Sequence, residues 1–163
     1  MYRALPTAGE GKLVRLYLET SALGGLADRE DPRRPALTRQ LLRAVADRVH
    51  EGVISNVVQE ELERAPAEVR KTLLAAMQGI PLELVVEDAE SRSLFVEYLE
   101  LGIVPERYRN DLRHVGVATV AGVDALVSWN FRHLVNIRTR RAVHAVNVRL
   151  GYPLIEIVSP EEV

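Results

Sequence analysis

The sequence has no cysteine, and this absence excludes disulfides, zinc-thiolate sites and cysteine nucleophiles. Any metal ion must then be bound by oxygen or imidazole, and the reducing cytoplasm is the compartment that we predict. Long apolar runs are also missing, since none approaches the roughly 20 residues that span a bilayer. Residues 1–12 have no apolar central region of the kind found in secretory signals. We therefore expect neither a membrane role nor secretion.

The length bounds the number of domains. A chain of 163 residues buries one substantial core but is short for two ordinary domains. Its 47% hydrophobic and 27% charged residues are typical of a globular protein. Proline and glycine near the start predict a loose lead-in over residues 1–12, followed by one domain over residues 13–163.

Acidic residues are absent from one long stretch. The net charge is −2, yet residues 125–155 contain no Asp or Glu and carry five arginines and two histidines. Clustered cations of this kind bind the phosphates of nucleic acids, although a solvated surface is the commoner explanation. The candidates for contact with a nucleic acid are Arg132, His133, Arg138, Arg140 and Arg141.

Strand and helix patterns alternate along the chain. The nearly continuous apolar stretch at 13–19 is typical of a strand covered on both faces in a parallel sheet. Further strands are predicted at 52–54, 81–86, 123–129 and 154–158, the last half-exposed. Helices are predicted at 35–50, 55–65, 67–78, 87–101, 105–121 and 136–150. The alternation predicts an α/β fold with right-handed crossovers and helices on both faces of a mainly parallel sheet.

Ligands of such sheets bind beyond the carboxyl ends of the strands. Glu19 follows the first strand, Asn130 follows the strand at 123–129, and Glu61 lies on the inward side of its helix. Asp111 shares an apolar helical stripe, whereas Asp124 begins its strand and is expected at the opposite edge. Any one of these acids alone is more often a salt-bridge partner than a ligand.

Three converging acids, however, indicate a cation. Two carboxylates about 5 Å apart repel by roughly 3 kcal/mol at an effective dielectric near 20. Oxygen ligands without thiols favour Mg²⁺ or Mn²⁺. If Glu19, Glu61 and Asp111 have no basic partner, we expect removal of one charge to stabilise the metal-free protein. In contrast, Glu60 is expected to face solvent.

Three ordered blocks resemble a known family. They are LYLETS at 16–21, ISNVVQEEL at 54–62 and NDLRHVGVATVAGVDALVSWNFRHLVN at 110–136. Together they resemble the PIN-domain family, particularly the VapC-like toxins. The resemblance implies a PIN-like three-layer α/β/α fold of about five strands and a Mg²⁺- or Mn²⁺-dependent ribonuclease. It also implies an RNA substrate, single-stranded or structured, an antitoxin protein as partner, and a homodimer.

The resemblance also assigns site residues. It puts Glu19, Glu61 and Asp111 at the acidic metal positions, Asn130 at the fourth position, and Ser21 beside the first acid. His114 follows Asp111 by three residues and either orients a carboxylate or serves a structural role.

Two departures from the family pattern leave a second function open. Most PIN domains have Asp where this chain has Glu19, and Asn130 removes one negative charge. A catalytically silent module that binds RNA or a partner is therefore the alternative to hydrolysis. A receiver-like or phosphatase domain is disfavoured, because it needs a nucleophilic Asp at the position of Glu19.

Overall fold

The structure is a computed structural model that describes residues 13–163. The predicted lead-in of residues 1–12 lies outside the described residues. The strands are β1 (Val14–Leu18), β2 (His50–Ser55), β3 (Leu82–Val85), β4 (Ala125–Val127) and β5 (Glu156–Val158). The helices are α1 (Thr20–Gly24), α2 (Arg33–Ala46), α3 (Asn56–Arg64), α4 (Ala67–Met77), α5 (Ala89–Glu100), α6 (Arg109–Val120) and α7 (Ile137–Leu150). Two 3₁₀ turns cover Gly25–Ala27 and Glu106–Tyr108.

All five strands are parallel and lie in the order β3-β2-β1-β4-β5, which confirms the predicted α/β class. The chain passes from β1 through β2 to β3 on one side, then crosses back to add β4 and β5 on the other. The direction of winding therefore reverses between β1 and β4. This switch point opens a crevice at the carboxyl ends of those two strands.

The helices form two groups around the buried sheet. The 3₁₀ turn Gly25–Ala27 contacts α1, α2 and α4, while α5 packs against α6 and α7. The central strand β1 explains this arrangement, because Leu16, Tyr17 and Leu18 are fully buried and need apolar cover on both faces. None of the helices in residues 13–163 is long and apolar enough to cross a membrane.

Helix termini agree with the residues expected at them. Ser55 accepts a hydrogen bond from the Val57 amide at 3.1 Å and begins α3, and Asn136 begins α7 by accepting from the Thr139 amide. Gly151 ends α7 with φ of 78°, a left-handed conformation in which glycine carries no Cβ penalty.

Several predicted boundaries were wrong. The helix predicted at 35–50 ends at Ala46, because Arg48 turns the chain with φ of 56°; His50 then begins β2. The apolar spacing of the predicted helix continues to Val49, but the Val49 side chain is 47% exposed and does not belong to a buried helical face. The helix predicted at 105–121 begins as a 3₁₀ turn and becomes α-helical only at Arg109.

The last two strands also differ from prediction. β4 spans three residues instead of seven, and at its carboxyl end the amides of Trp129 and Asn130 donate to side-chain hydroxyls instead of to the ladder. The final strand was predicted half-exposed, but Ile157 is fully buried and Val158 is 7% exposed. Its burial follows from the preceding crossover, since α7 contains Val143 and Val146 as buried residues beside it.

Gly25, the first residue of the 3₁₀ turn after α1, lies close to Thr38 and to the Trp129 indole. A Cβ at Gly25 would overlap Thr38 Oγ1 and the Trp129 indole, whereas one at Gly24 would meet nothing within 4 Å. The indole Nε1 donates to Thr38 Oγ1 at 3.1 Å, so neither group can move without breaking a buried hydrogen bond. We expect Gly25→Ala to destabilise the protein by roughly 1–3 kcal/mol. Urea unfolding measures the change.

Gly24→Ala is the matched control, because both glycines have right-handed helical backbone angles. It is expected to leave stability unchanged or raise it by about 0.4–1 kcal/mol. Equal effects of the two substitutions would contradict the proposed packing.

Candidate metal centre

Glu19 is the first acid at the switch point. It directly follows β1, begins α1 and is only 3% exposed. Its Oε2 accepts hydrogen bonds from the Ser21 amide at 3.0 Å, from the Ser21 hydroxyl, and from the Ser128 hydroxyl at 2.8 Å. A buried carboxylate is costly without partners, and these three donors offset that cost.

The two serines that hold Glu19 have fixed proton directions. Ser21 Oγ accepts from the Trp129 amide and Ser128 Oγ accepts from the Asn130 amide, each at 2.9 Å. An oxygen that accepts an amide proton keeps its own proton, so each hydroxyl can donate to the carboxylate, and the two hydroxyls also lie 3.0 Å apart. The serines therefore link the ends of β1 and β4 and orient Glu19 across the crevice.

Glu61 is the second acid, in the second turn of α3. Its Oε1 lies 2.9 Å from His114 Nε2, and its side chain is 25% exposed. The fully buried His114 ring contacts the Tyr17 hydroxyl through Nδ1 at 2.7 Å, and that hydroxyl lies 2.6 Å from Ser55 Oγ. The four groups form a continuous hydrogen-bonded row from the core to the crevice, and they hold Glu61 in one orientation.

Asp111 is the third acid, in the first turn of α6. Its Oδ2 accepts from Asn130 Nδ2 at 3.1 Å and lies 3.2 Å from His133 Nδ1. Asn130 Oδ1 accepts from the His133 amide at 2.9 Å, so the amide orientation follows from a backbone donor. Both ends of Asn130 are thus engaged within the protein, and the residue orients Asp111.

The acids converge, although Asp111 stands slightly apart. Ligand atoms of Glu19, Glu61 and His114 all lie within 4.8 Å of one another. Burial, the charge of Glu19 and the charge of Glu61 raise the pKa of Asp111 to about 6. This coupling shows that the three carboxylates, which we call the acidic cluster, share one electrostatic site.

The acidic cluster has a basic partner, His114, so the condition for stabilisation by removal of any one charge is not met. Burial alone would lower the pKa of His114, but the hydrogen bond to Glu61 and the charges of Glu19, Glu61 and Asp111 outweigh it and raise that pKa. Conversely, burial would raise the pKa of Glu61, but the bond and charge of His114 lower it. Each member of this pair therefore favours the charged form of the other.

Glu60, predicted to face solvent, has a side chain that is 37% exposed and also paired. It accepts from Arg113 at 3.1 Å, and Arg113 also forms two hydrogen bonds with Glu87. Consecutive acids on α3 therefore pair with consecutive bases on α6, Glu60 with Arg113 and Glu61 with His114. This double pairing fixes α3 against α6.

The predicted basic residues separate into three groups. His133 lies at the acidic cluster, where its ring packs on Tyr108 at a centroid distance of 4.0 Å. Arg140 is directed elsewhere, since its Nε donates to the Ile157 carbonyl at 2.6 Å and its Nη2 approaches Glu162. The side chains of the third group are exposed, namely those of Arg132, Arg138 and Arg141.

Asp124 lies at the opposite edge, as expected, and accepts from the Arg15 amide at 2.8 Å. Three groups at the site escaped the sequence analysis: Ser128, Tyr17 and Thr20. Thr20 has a buried hydroxyl that interacts with the Glu61 carboxylate and helps to lower its pKa. Ser128 stands two residues before Asn130 and this position was the available signal, whereas the apolar pattern of β1 hides the polar hydroxyl of Tyr17.

Comparisons with solved structures identify the architecture. VapBC2 from Rickettsia felis, bound to a DNA fragment from its promoter, matches 90% of this chain and 98% of its own, with a TM-score of 0.58 and 16% identity. DNA-bound VapBC from Salmonella typhimurium matches 91% of this chain and 99% of its own, with a TM-score of 0.57 and 16% identity. Mycobacterium tuberculosis VapC20, a sarcin-ricin loop cleaving toxin, matches 72% and 92%, with a TM-score of 0.51 and 14% identity.

The fold is therefore the PIN-like α/β/α fold with a parallel five-stranded sheet. Within that class the chain is VapC-like in architecture over almost its whole described length. No protein-family model and no curated protein sequence matches it.

The different surroundings of Asp111 and Glu61 predict opposite effects on stability in chelator. Asp111 has a raised pKa, so its contribution to stability is complete below pH about 4 and is lost as pH rises through about 6. At pH 7.5, Asp111→Asn should raise stability by on the order of 1 kcal/mol. Glu61 has a lowered pKa, so its stabilisation is present at pH 7.5 and disappears at acid pH.

Accordingly, Glu61→Gln should lower the free energy of unfolding by about 1–3 kcal/mol at pH 7.5, because a charged hydrogen bond is lost. Its melting temperature should then lie below that of the wild type. Melting curves in chelator at pH 7.5 and at pH 4 measure both effects. At pH 4 the advantage of Asp111→Asn should vanish. Destabilisation by both substitutions at pH 7.5 would contradict the electrostatic assignment of Asp111.

Proposed function

We propose that the protein is a metal-dependent endoribonuclease that hydrolyses phosphodiester bonds of RNA, the toxin of a toxin–antitoxin pair. One observation carries this proposal. Three carboxylates from three different elements lie at the switch point of a VapC-like fold, and burial together with the charges of Glu19 and Glu61 raises the pKa of Asp111 to about 6. A site of this charge is suited to a divalent cation.

The residues present fit Mg²⁺ or Mn²⁺. Glu19 and Glu61 supply the hard oxygen ligands that these ions prefer, and Asp111 adds a third carboxylate that is electrostatically coupled to both. We assign the three acids as ligands and His114 as the partner that orients Glu61. When bound, the ion supplies Lewis-acid chemistry and lowers the pKa of water.

The chain's own contribution is to hold each acid rigidly. Glu19 is held by two serine hydroxyls, Glu61 by His114, and Asp111 by the Asn130 amide and the His133 ring. Such outer partners fix ligand direction and so control metal affinity and activity. In this proposal Ser21, His114 and Asn130 are positioning residues.

Partners follow from the same proposal. VapBC structures pair a toxin with an antitoxin, and we propose an antitoxin partner for this chain. A homodimer remains a prediction. An enzyme that cuts cellular RNA must meet it, so we propose the cytoplasm as the compartment.

Cleavage assays test the enzyme directly. Purified protein with Mn²⁺ or Mg²⁺ should cut labelled RNA but not the equivalent DNA, and chelator should abolish the reaction. Asp111→Asn should remove the activity without loss of the fold, because it removes ligand charge at nearly constant volume.

Glu63→Gln is the matched control, since Glu63 is an exposed acid on the same helix as Glu61. It should retain wild-type cleavage, while Glu61→Gln should not. Full activity of purified Asp111→Asn would overturn the assignment, and loss of activity in Glu63→Gln would mean that the assay reports general damage.

The exposed arginines after the β4 end motivate a second test. Replacing Arg132 and Arg138 by Glu should weaken RNA binding and flatten its salt dependence, by roughly 0.7 units of slope for each lost phosphate contact. The control variant replaces Arg39 and Arg43 by Glu, two exposed residues on α2 in the other helical group. Fluorescence anisotropy in chelator measures affinity without cleavage. Equal behaviour of the two variants would indicate a solvated surface.

A catalytically silent binding module is the second candidate, and the His114–Glu61 ion pair favours it because the pair already neutralises part of the site. Metal distinguishes the two functions. Mn²⁺ at about 100 times its dissociation constant stabilises a native site by about 2.7 kcal/mol. A melting temperature indifferent to Mn²⁺, together with intact RNA, would favour the silent module.

A further inference from the structure

A pocket of about 390 Å³ lies between α5 and α6, beside the acidic cluster but outside it. Its lining combines three guanidinium groups, one carboxylate, one amide and an apolar wall. These residues are Arg92, Arg109, Arg113, Glu87, Asn110, Phe95 and Val96. We call it the α5–α6 pocket. Its size is that of a small-ligand site, and its chemistry is that of an anion attached to a flat apolar group.

The positive charge of the pocket is not balanced within it. Arg113 is neutralised by Glu60 and Glu87. Arg109 approaches Glu106 only at 4.0 Å, with both side chains largely exposed, and such a pair contributes little. The Arg92 guanidinium has no hydrogen bond or ion pair in the described part of the chain. Two cations therefore remain available at the rim.

The pocket and the acidic cluster share one helix. Asn110 and Arg113 line the pocket. The residue after Asn110 is Asp111 of the acidic cluster, and the residue after Arg113 is His114, which contacts Glu61 of that cluster. Consecutive helical residues point about 100° apart, so α6 presents one set to each side. A ligand in the pocket and a phosphodiester bond at the acids would therefore contact consecutive residues of the same helix.

The apolar wall suits a base. The Arg109 guanidinium lies over the Phe95 ring at 5.4 Å from its centroid, and Val96 is 44% exposed beside it. Phe95 itself is only 6% exposed, so a base would stack on the guanidinium plane and on Val96. Unpaired RNA bases are bound by stacking on arginine planes and apolar side chains, with the backbone on cations.

We propose that the α5–α6 pocket is a nucleotide-binding subsite for the RNA strand that the acidic cluster cuts, with Arg92 and Arg109 on a phosphate and Arg109 and Val96 on its base. The subsite rests on the proposed ribonuclease function. It extends the RNA surface from the arginines of residues 132–141 to residues of α5 and α6. An acidic protein segment is the competing occupant.

Anisotropy with a fluorescein-labelled single-stranded RNA of mixed sequence tests the subsite in chelator. The Arg92→Glu/Arg109→Glu double variant should bind at least fivefold more weakly and lose roughly 1.4 units of salt slope, about 0.7 for each contact. The Arg39→Glu/Arg43→Glu variant is the control for charge, and melting curves check that both variants fold. Val96→Ser should weaken binding without a change in slope, because it removes stacking area and no charge.

Cleavage assays on the same RNA separate the two proposals. Normal cleavage by the wild type with unchanged affinity and slope in the Arg92/Arg109 variant would overturn the subsite and leave the ribonuclease standing. Binding that depends on both arginines without any cleavage would overturn the ribonuclease and leave the subsite. Absence of RNA binding by the wild type would overturn the subsite as well.

A polyglutamate peptide tests the competing occupant. If the labelled peptide binds the wild type and loses affinity in the Arg92/Arg109 variant, while RNA affinity is the same in both, the pocket belongs to an acidic protein. If RNA binding depends on these arginines and the peptide competes only weakly, the nucleotide subsite is supported.

Discussion

A carboxylate buried at the carboxyl ends of two neighbouring parallel strands is the constraint on which this structure depends. Glu19 stands where β1 ends and the sheet changes its direction of winding, almost out of contact with water. The protein keeps it there by having Ser21 and Ser128 bridge the ends of β1 and β4. The shortness of β4 is consistent with this bridge. The amides of Trp129 and Asn130 leave the ladder and donate to the hydroxyls of Ser21 and Ser128.

The other two acids are also held in place by hydrogen-bonded partners. Glu61 is held from the core through His114 and Tyr17, and Asp111 is held from the surface through Asn130 and His133. The geometry of the crevice is therefore set by residues that lie on strands, helices and a turn, instead of by one mobile loop. Rigid support of this kind is what a metal-dependent site requires.

The sequence pattern predicted the positions of residues on strands and helices, but it did not predict their ion-pair partners. The strand-end position of Glu19 and the inward side of Glu61 follow from periodicity, and the structure agrees. The ion pairs of Glu60 and Glu61 with α6 could not be predicted, because they depend on how two helices distant in sequence are aligned. The helix end at Ala46 was misjudged since spacing alone cannot show that Val49 is exposed.

The two ion pairs between α3 and α6 use two kinds of cation, an arginine and a histidine. Arginine cannot give up its proton in a protein, so the charge of Arg113 beside Glu60 is permanent. Histidine can give up its proton, so the charge of His114 beside Glu61 is exchangeable. Two adjacent positions on the same pair of helices thus provide a fixed neutralisation that maintains the fold and a replaceable one that leaves room for another cation.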